Sequence, residues 1–116
     1  MANEYKDLIQ GISANLAQLR NTQPGVMKGF HDMGKAAMAG GVLDPKTKEL
    51  IALAVGVAAR CGGCIGFHTK ALARLGATKE EVHEALGVAI YMGGGPVAMY
   101  AADAVAAFDE FTAPAA

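Results

Sequence analysis

Apolar residues recur along this chain at helical spacing, and no convincing run of alternating β-branched residues marks a strand. Leu8, Ile12, Leu16 and Leu19 share one face of a first helix predicted from about Glu4 to Arg20. Asn21 to Gln23 is a polar break, and Pro24 suits the first turn of a second helix. That helix carries Val26, Met27, Phe30, Met33, Ala37 and Met38 and is expected to stop at Gly40-Gly41. Asp44-Pro45 pairs an N-cap acid with a proline at the first helical position, a strong start signal for a third helix. The third helix runs to about Arg60 and is apolar nearly all round, so it is predicted to be central. A fourth begins near Cys61 to Cys64 and ends at Leu75-Gly76. Thr78 with Glu81 three residues on forms a capping box for a fifth, which ends at Gly93 to Gly95. A sixth goes from Pro96 to about Phe111, leaving Thr112 to Ala116 as a tail. The expectation is an all-α fold of about six helices.

Composition sharpens this picture. The chain has 116 residues, enough for one core, and a single domain over 1–116 is predicted. Hydrophobic residues make up 53% and charged residues 18%, a balance that excludes a disordered chain. Ten Lys and Arg against eleven Asp and Glu leave a net charge of −1. The charges are scattered, so no basic stripe argues for nucleic acid and no polybasic block for a membrane surface. The apolar excess then means either a membrane span or an oligomer. Leu50 to Ala59 is uncharged but well short of the roughly 20 residues a span requires. Ala85 to Ala102 is longer, but Gly93, Gly94, Gly95 and Pro96 break it into two helices and a tight turn. The start, MANEYKDLIQ, carries acid early and lacks the apolar run of a signal peptide. A cytoplasmic homo-oligomer is expected, with subunit contacts covering faces that one small domain leaves bare.

The candidate chemistry lies in Cys61-Gly62-Gly63-Cys64, which holds the only two cysteines. At a helix start, free N–H groups and the helix dipole favour the thiolate, which attacks peroxides and disulfides. Arg60 adds a neighbouring positive charge. The second thiol can resolve a sulfenic acid into a disulfide before further oxidation. His68, four residues after Cys64, falls on the same helix face and can exchange the sulfur's proton. Glu49 opens the apolar third helix, where its carboxylate is partly desolvated. If the chain reverses near Arg60, His68 lies ~12 Å past the turn and Glu49 ~16 Å before it, a mismatch of about one helical turn. Glu49 is therefore expected to orient His68 directly or through one water. Which sulfur attacks stays open: the histidine favours Cys64, and the helix start favours Cys61.

Other readings use the same residues. Zinc could take Cys61, Cys64 and His68 if His31, His83 or Glu49 supplied a fourth ligand, but no spacing fixes one of them nearby. The cysteines could be inert core residues, although flanking glycines expose thiols rather than bury them. His31 reads as a solvated or interface histidine, and His83, among glutamates, as exposed. Met27, Met33, Met38, Met92 and Met99 read as packing residues, while Tyr91 and Tyr100 flank the glycine turn. No G-x-G-x-x-G follows a strand, so no nucleotide or flavin cofactor is expected, and reducing power would come from a dithiol or a disulfide-reductase partner.

Glu49, eleven residues, Cys61-x-x-Cys64, three residues and His68 together resemble the signature of the carboxymuconolactone decarboxylase family, more narrowly its alkylhydroperoxidase D-like branch. LDPKTKELIALAV, GATKEEVHEAL and YMGGGPVAMYA extend the resemblance over roughly Pro24 to Phe111. It implies an all-α fold, homo-oligomers (often trimers or hexamers) and thiol-based reduction of a hydroperoxide. It also implies that Cys64 becomes the sulfenic acid, that Cys61 resolves it and supplies a proton, and that Glu49 and His68 form the relay. One position departs: well-studied peroxidases of this type carry a histidine just before the second cysteine, and here that residue is Gly63. The decarboxylase branch generally lacks the cysteine pair, so the lactone reaction is not the expectation.

Overall fold

The computed structural model describes residues 3–114. Six helices follow one another: α1 Glu4–Thr22, α2 Pro24–Met38, α3 Pro45–Ala58, α4 Gly62–Arg74, α5 Lys79–Gly93 and α6 Gly95–Thr112. Among the described residues there is no strand. Ala115 and Ala116 of the expected tail lie outside the described residues.

Local chemistry sets the boundaries. The Asp44 carboxylate accepts the Thr47 N–H at 2.7 Å and caps α3. Thr78 and Glu81 exchange their bonds at 2.8 and 3.1 Å and cap α5. α1 outlasts the expected Arg20 because Gln23 N–H still reaches Leu19 O at 2.6 Å. α2 stops two residues before Gly40. Its end is secured from α3, where Lys48 Nζ donates to Ala37 O at 2.9 Å and Ala39 O at 2.6 Å, taking up carbonyls that a helix end leaves free. Between α5 and α6, Gly94 holds φ +76, which turns the chain in a single residue. No described helix is long and apolar enough to cross a membrane.

α3 is central, packing against α2, α4, α5 and α6. The core joins Leu53 and Val57 of α3, Ile65 and Leu72 of α4, Val82 and Leu86 of α5, and Ala104 and Phe108 of α6. α1 lies across α4 and α6. It buries Tyr5 and Ile9 rather than the expected stripe, and Leu8 and Leu19 remain well exposed. Two interactions set that rotation. The N–H groups of Tyr5 and Lys6 donate to the Glu110 carboxylate at 2.9 and 3.2 Å, tying the start of α1 to the end of α6. Gly66 then leaves room for Ile9, whose side chain occupies the space a Cβ there would need. α2 buries none of its residues, and Val26, Phe30 and Met33 stay 61–65% exposed. Met92 and Met99, expected to be packed, are also exposed in the single chain, as is Met33. Their apolar faces point away from the core of this chain.

Candidate functional site

The turn between α3 and α4 carries the cysteines, and its backbone is fully accounted for. Ala59 ends α3, and Arg60 adopts φ 60, the left-handed conformation that side-chain-bearing residues seldom take. Arg60 N–H bonds Val57 O at 3.0 Å and Cys61 N–H bonds Gly56 O at 3.0 Å. These two bonds form a Schellman closure with arginine in the position usually given to glycine. Cys61 is thereby the last residue pinned by α3. It is also the N-cap of α4, because its Sγ accepts the Cys64 N–H at 3.1 Å. The sulfur does what a serine or aspartate oxygen does at other helix starts.

Cys61 and Cys64 are joined by a disulfide, with Cα atoms 5.2 Å apart. Both residues are half-buried, between core and surface. Four residues past Cys64 the chain reaches His68, on the same side of α4. Its Nδ1 lies 2.6 Å from Glu49 Oε2 of α3. The contact is direct, and the turn of mismatch expected from rise arithmetic is absorbed by the way α3 and α4 fold back on each other. The closeness of these helices has a specific cause. A Cβ on Gly56 would stand 2.8 Å from Cys64 Cβ, so only glycine lets α4 approach α3 at the level of the sulfur. The Glu49 side chain is 13% exposed and that of His68 29%, so the pair is shielded but still reachable from solvent. With the carboxylate accepting from Nδ1–H, the imidazole has its Nε2 free to take up a proton.

The four residues singled out in the sequence thus form two contacting pairs, Cys61 with Cys64 and Glu49 with His68. His31 and His83 join neither. His31 is exposed and lines an open groove of about 930 Å³ between α1 and α2, and His83 is exposed on α5. Among the described residues, no group of three His, Cys, Asp or Glu side chains is disposed to hold a metal ion. Tyr91 is exposed and Tyr100 packs against the core edge. Two contributors were missed. Gly56 could have been suspected as a lone glycine inside an otherwise strong helix. The cover from α1 gave no signal: Ile12 Cδ1 lies 2.9 Å from where a Cβ on Gly63 would be. That contact supplies a physical setting for the missing histidine, since any side chain at Gly63 must displace Ile12.

By fold and site, this is an all-helical protein with a linked cysteine pair at a helix start and a carboxylate–imidazole pair beside it. It belongs to the carboxymuconolactone decarboxylase family, whose sequence pattern matches residues 24–107. An uncharacterised protein of Cupriavidus necator is 41% identical over 113 residues, covering 97% of this chain and 100% of the relative. A carboxymuconolactone decarboxylase family protein of Legionella pneumophila, solved in its apo form, superposes with a TM-score of 0.94 at 50% identity, over 96% of this chain and 99% of that one. A family member of Thermotoga maritima, for which a part in the antioxidative response has been suggested, superposes with a TM-score of 0.79 at 31% identity, over 88% of this chain and 87% of that one.

Proposed function

We propose that this protein is a thiol peroxidase that reduces hydroperoxides through a Cys61–Cys64 disulfide cycle. The observation that carries the reading is the 2.6 Å contact between Glu49 and His68, one helical turn from a cysteine pair already linked at a helix start. In the reduced protein His68 takes the Cys64 proton through Nε2, and Glu49 stabilises the imidazolium it becomes. The Cys64 thiolate attacks the peroxide's terminal oxygen. The O–O bond breaks, an S–O bond forms, and the departing alkoxide leaves as alcohol with the proton returned from His68. Cys61 then attacks the sulfenic sulfur, its thiol proton passing to the hydroxide that leaves, so water departs as the S–S bond closes. A dithiol or a disulfide-reductase partner restores both thiols and is itself oxidised. The antioxidative role suggested for the Thermotoga maritima relative supports the same chemistry here.

The working form is a homo-oligomer, a trimer or hexamer as the family resemblance implies, in the reducing setting of the cytoplasm. The exposed stripe Val26, Phe30 and Met33 supports assembly. A second reading is favoured by Gly63, which leaves the relay without a group between the cysteines: a thiol–disulfide oxidoreductase that ignores peroxide. Reduced protein mixed with hydroperoxides and a panel of dithiols separates the two. Peroxide loss, with two protein thiols consumed per peroxide in the absence of a donor, supports the peroxidase. Dithiol oxidation coupled to disulfide substrates, with every hydroperoxide left intact, replaces it with the second reading.

A further inference from the structure

The stretch between the cysteines is covered from one side by α1. A Cβ on Gly62 would lie 3.7 Å from Leu8 Cδ2, an ordinary contact, and one on Gly63 would lie 2.9 Å from Ile12 Cδ1, closer than carbons approach. One turn further, a Cβ on Gly66 would run into Ile9, with Tyr5 beside it at 3.7 Å. So α1 rests on the glycine side of α4, where no side chain holds the two helices apart. On the other side α3 rests as closely on Cys64 through Gly56. The cysteine turn is thus approached closely by both helices and stays half-buried.

Within α1 the apolar residues divide into two sets. Tyr5 and Ile9 are buried, 8% and 5% exposed, and anchor the helix to the core. Leu8 is exposed and Ile12, four residues on, half-buried; the two stand at the edge, close to Gly62 and Gly63. Both reach the two glycines between the cysteines, a position suited to control what approaches the sulfurs.

We propose that Leu8 and Ile12 form a size filter over the Cys61–Cys64 pair, admitting small reactants and holding off bulky ones. The filter shares with the proposed function the premise that these cysteines react, but it does not depend on peroxide being the oxidant. Where a hydrophobic wall discriminates by size, removing one or two methylenes is worth roughly tenfold or more in relative rate.

The test is alkylation of the fully reduced protein by iodoacetamide and by a bulky pyrene maleimide, scored as the ratio of the two rates. Relative to wild type, Ile12→Ala and Leu8→Ala should raise the bulky-to-small ratio, by about tenfold for Ile12→Ala. Gly63→Ala adds a methyl to the same wall against Ile12 and should lower it. Adding Ile12→Ala to Gly63→Ala should bring the ratio back to the wild-type value or above. Thermal melts establish that each variant is folded, and Leu8→Ala, the more exposed site, serves if Ile12→Ala is not. An unchanged ratio in the folded alanine variants would overturn the filter. A raised ratio in a protein that consumes no hydroperoxide would leave the filter standing and remove only the peroxidase reading. Reduced wild-type cysteines inert to iodoacetamide would remove both.

Discussion

Glu49 and His68 touch across two helices, and each is expected to matter only through the other. Glu49→Gln and His68→Ala should each slow the reaction of the reduced cysteines with peroxide, by roughly 10²–10⁴-fold if the general-base contribution is lost entirely. The double variant should be little slower than either single one, because the pair acts as a unit. Stopped-flow peroxide kinetics check this, and wild-type rates in both variants would leave only the helix start to activate the sulfur. Arg60 is a second residue with two effects. Its left-handed backbone is strained, so Arg60→Gly should stabilise the fold by about 1 kcal/mol in urea unfolding. The same change removes a cation beside Cys61 and should slow alkylation at neutral pH. Tyr5 gives a pH test of packing. Burial, helped by the carboxylates of Asp103, Glu4 and Glu110, pushes its phenol up to about 12. The unfolded chain loses that proton near pH 10, before the folded one does. The associated stability is therefore whole below about pH 10 and is lost as pH rises toward 12. Tyr5→Phe should lose less of its melting temperature between pH 9 and about 11.5 than wild type does.

At the scale of elements, the α3–α4 turn is what turns a sequence spacing into a site. Gly56→Ala places a methyl against Cys64 and should cost about 1–3 kcal/mol by overpacking while prising His68 from Glu49. Denaturation together with alkylation rates reads both effects, and a fully stable, fully reactive Gly56→Ala would mean that the close approach is dispensable. Much of this level was legible beforehand. Asp44-Pro45, Thr78 with Glu81, and the Gly93–Gly95 run each carry a local bond or a φ requirement, so the starts of α3 and α5 and the break before α6 were readable. What escaped was set at longer range. α2 ends just before its glycines as expected, but the reach of Lys48 from α3 to its last carbonyls was not readable. α1 is rotated toward Tyr5 and Ile9 by Glu110 and Gly66, which lie far along the chain. The Glu49–Cys61–Cys64–His68 spacing was legible because all four lie on two consecutive helices. Contact between Glu49 and His68 was also expected, directly or through one water; rise per residue could not choose between the two, since it says nothing of how closely two helices cross.

For the whole molecule, the accessible surface is 7352 Å², against about 5,900 Å² expected for a folded monomer of this length. The radius of gyration is 14.5 Å, against about 13 Å. The excess of roughly 1,400 Å² is on the scale of one or two standard interfaces, at about 800 Å² per partner. α2 contributes to it, with Val26, Phe30 and Met33 bare and the groove against α1 open. Sedimentation at micromolar concentration should therefore show a homo-oligomer, and Phe30→Lys or Met33→Glu should shift it toward monomer. A stable wild-type monomer would contradict the assembly.

The cysteine cycle itself is tested most directly by trapping its intermediate. Reduced Cys61→Ser protein, treated with one equivalent of hydroperoxide and a sulfenate-specific dione, should carry the adduct on Cys64 by mass spectrometry and over-oxidise in excess peroxide, while Cys64→Ser remains unmodified. An adduct on Cys61 in Cys64→Ser, with none on Cys64 in Cys61→Ser, would reverse the roles, as an N-cap sulfur taking the helix dipole would allow. No adduct in either variant, with wild-type thiols untouched by the same peroxide, would contradict the account.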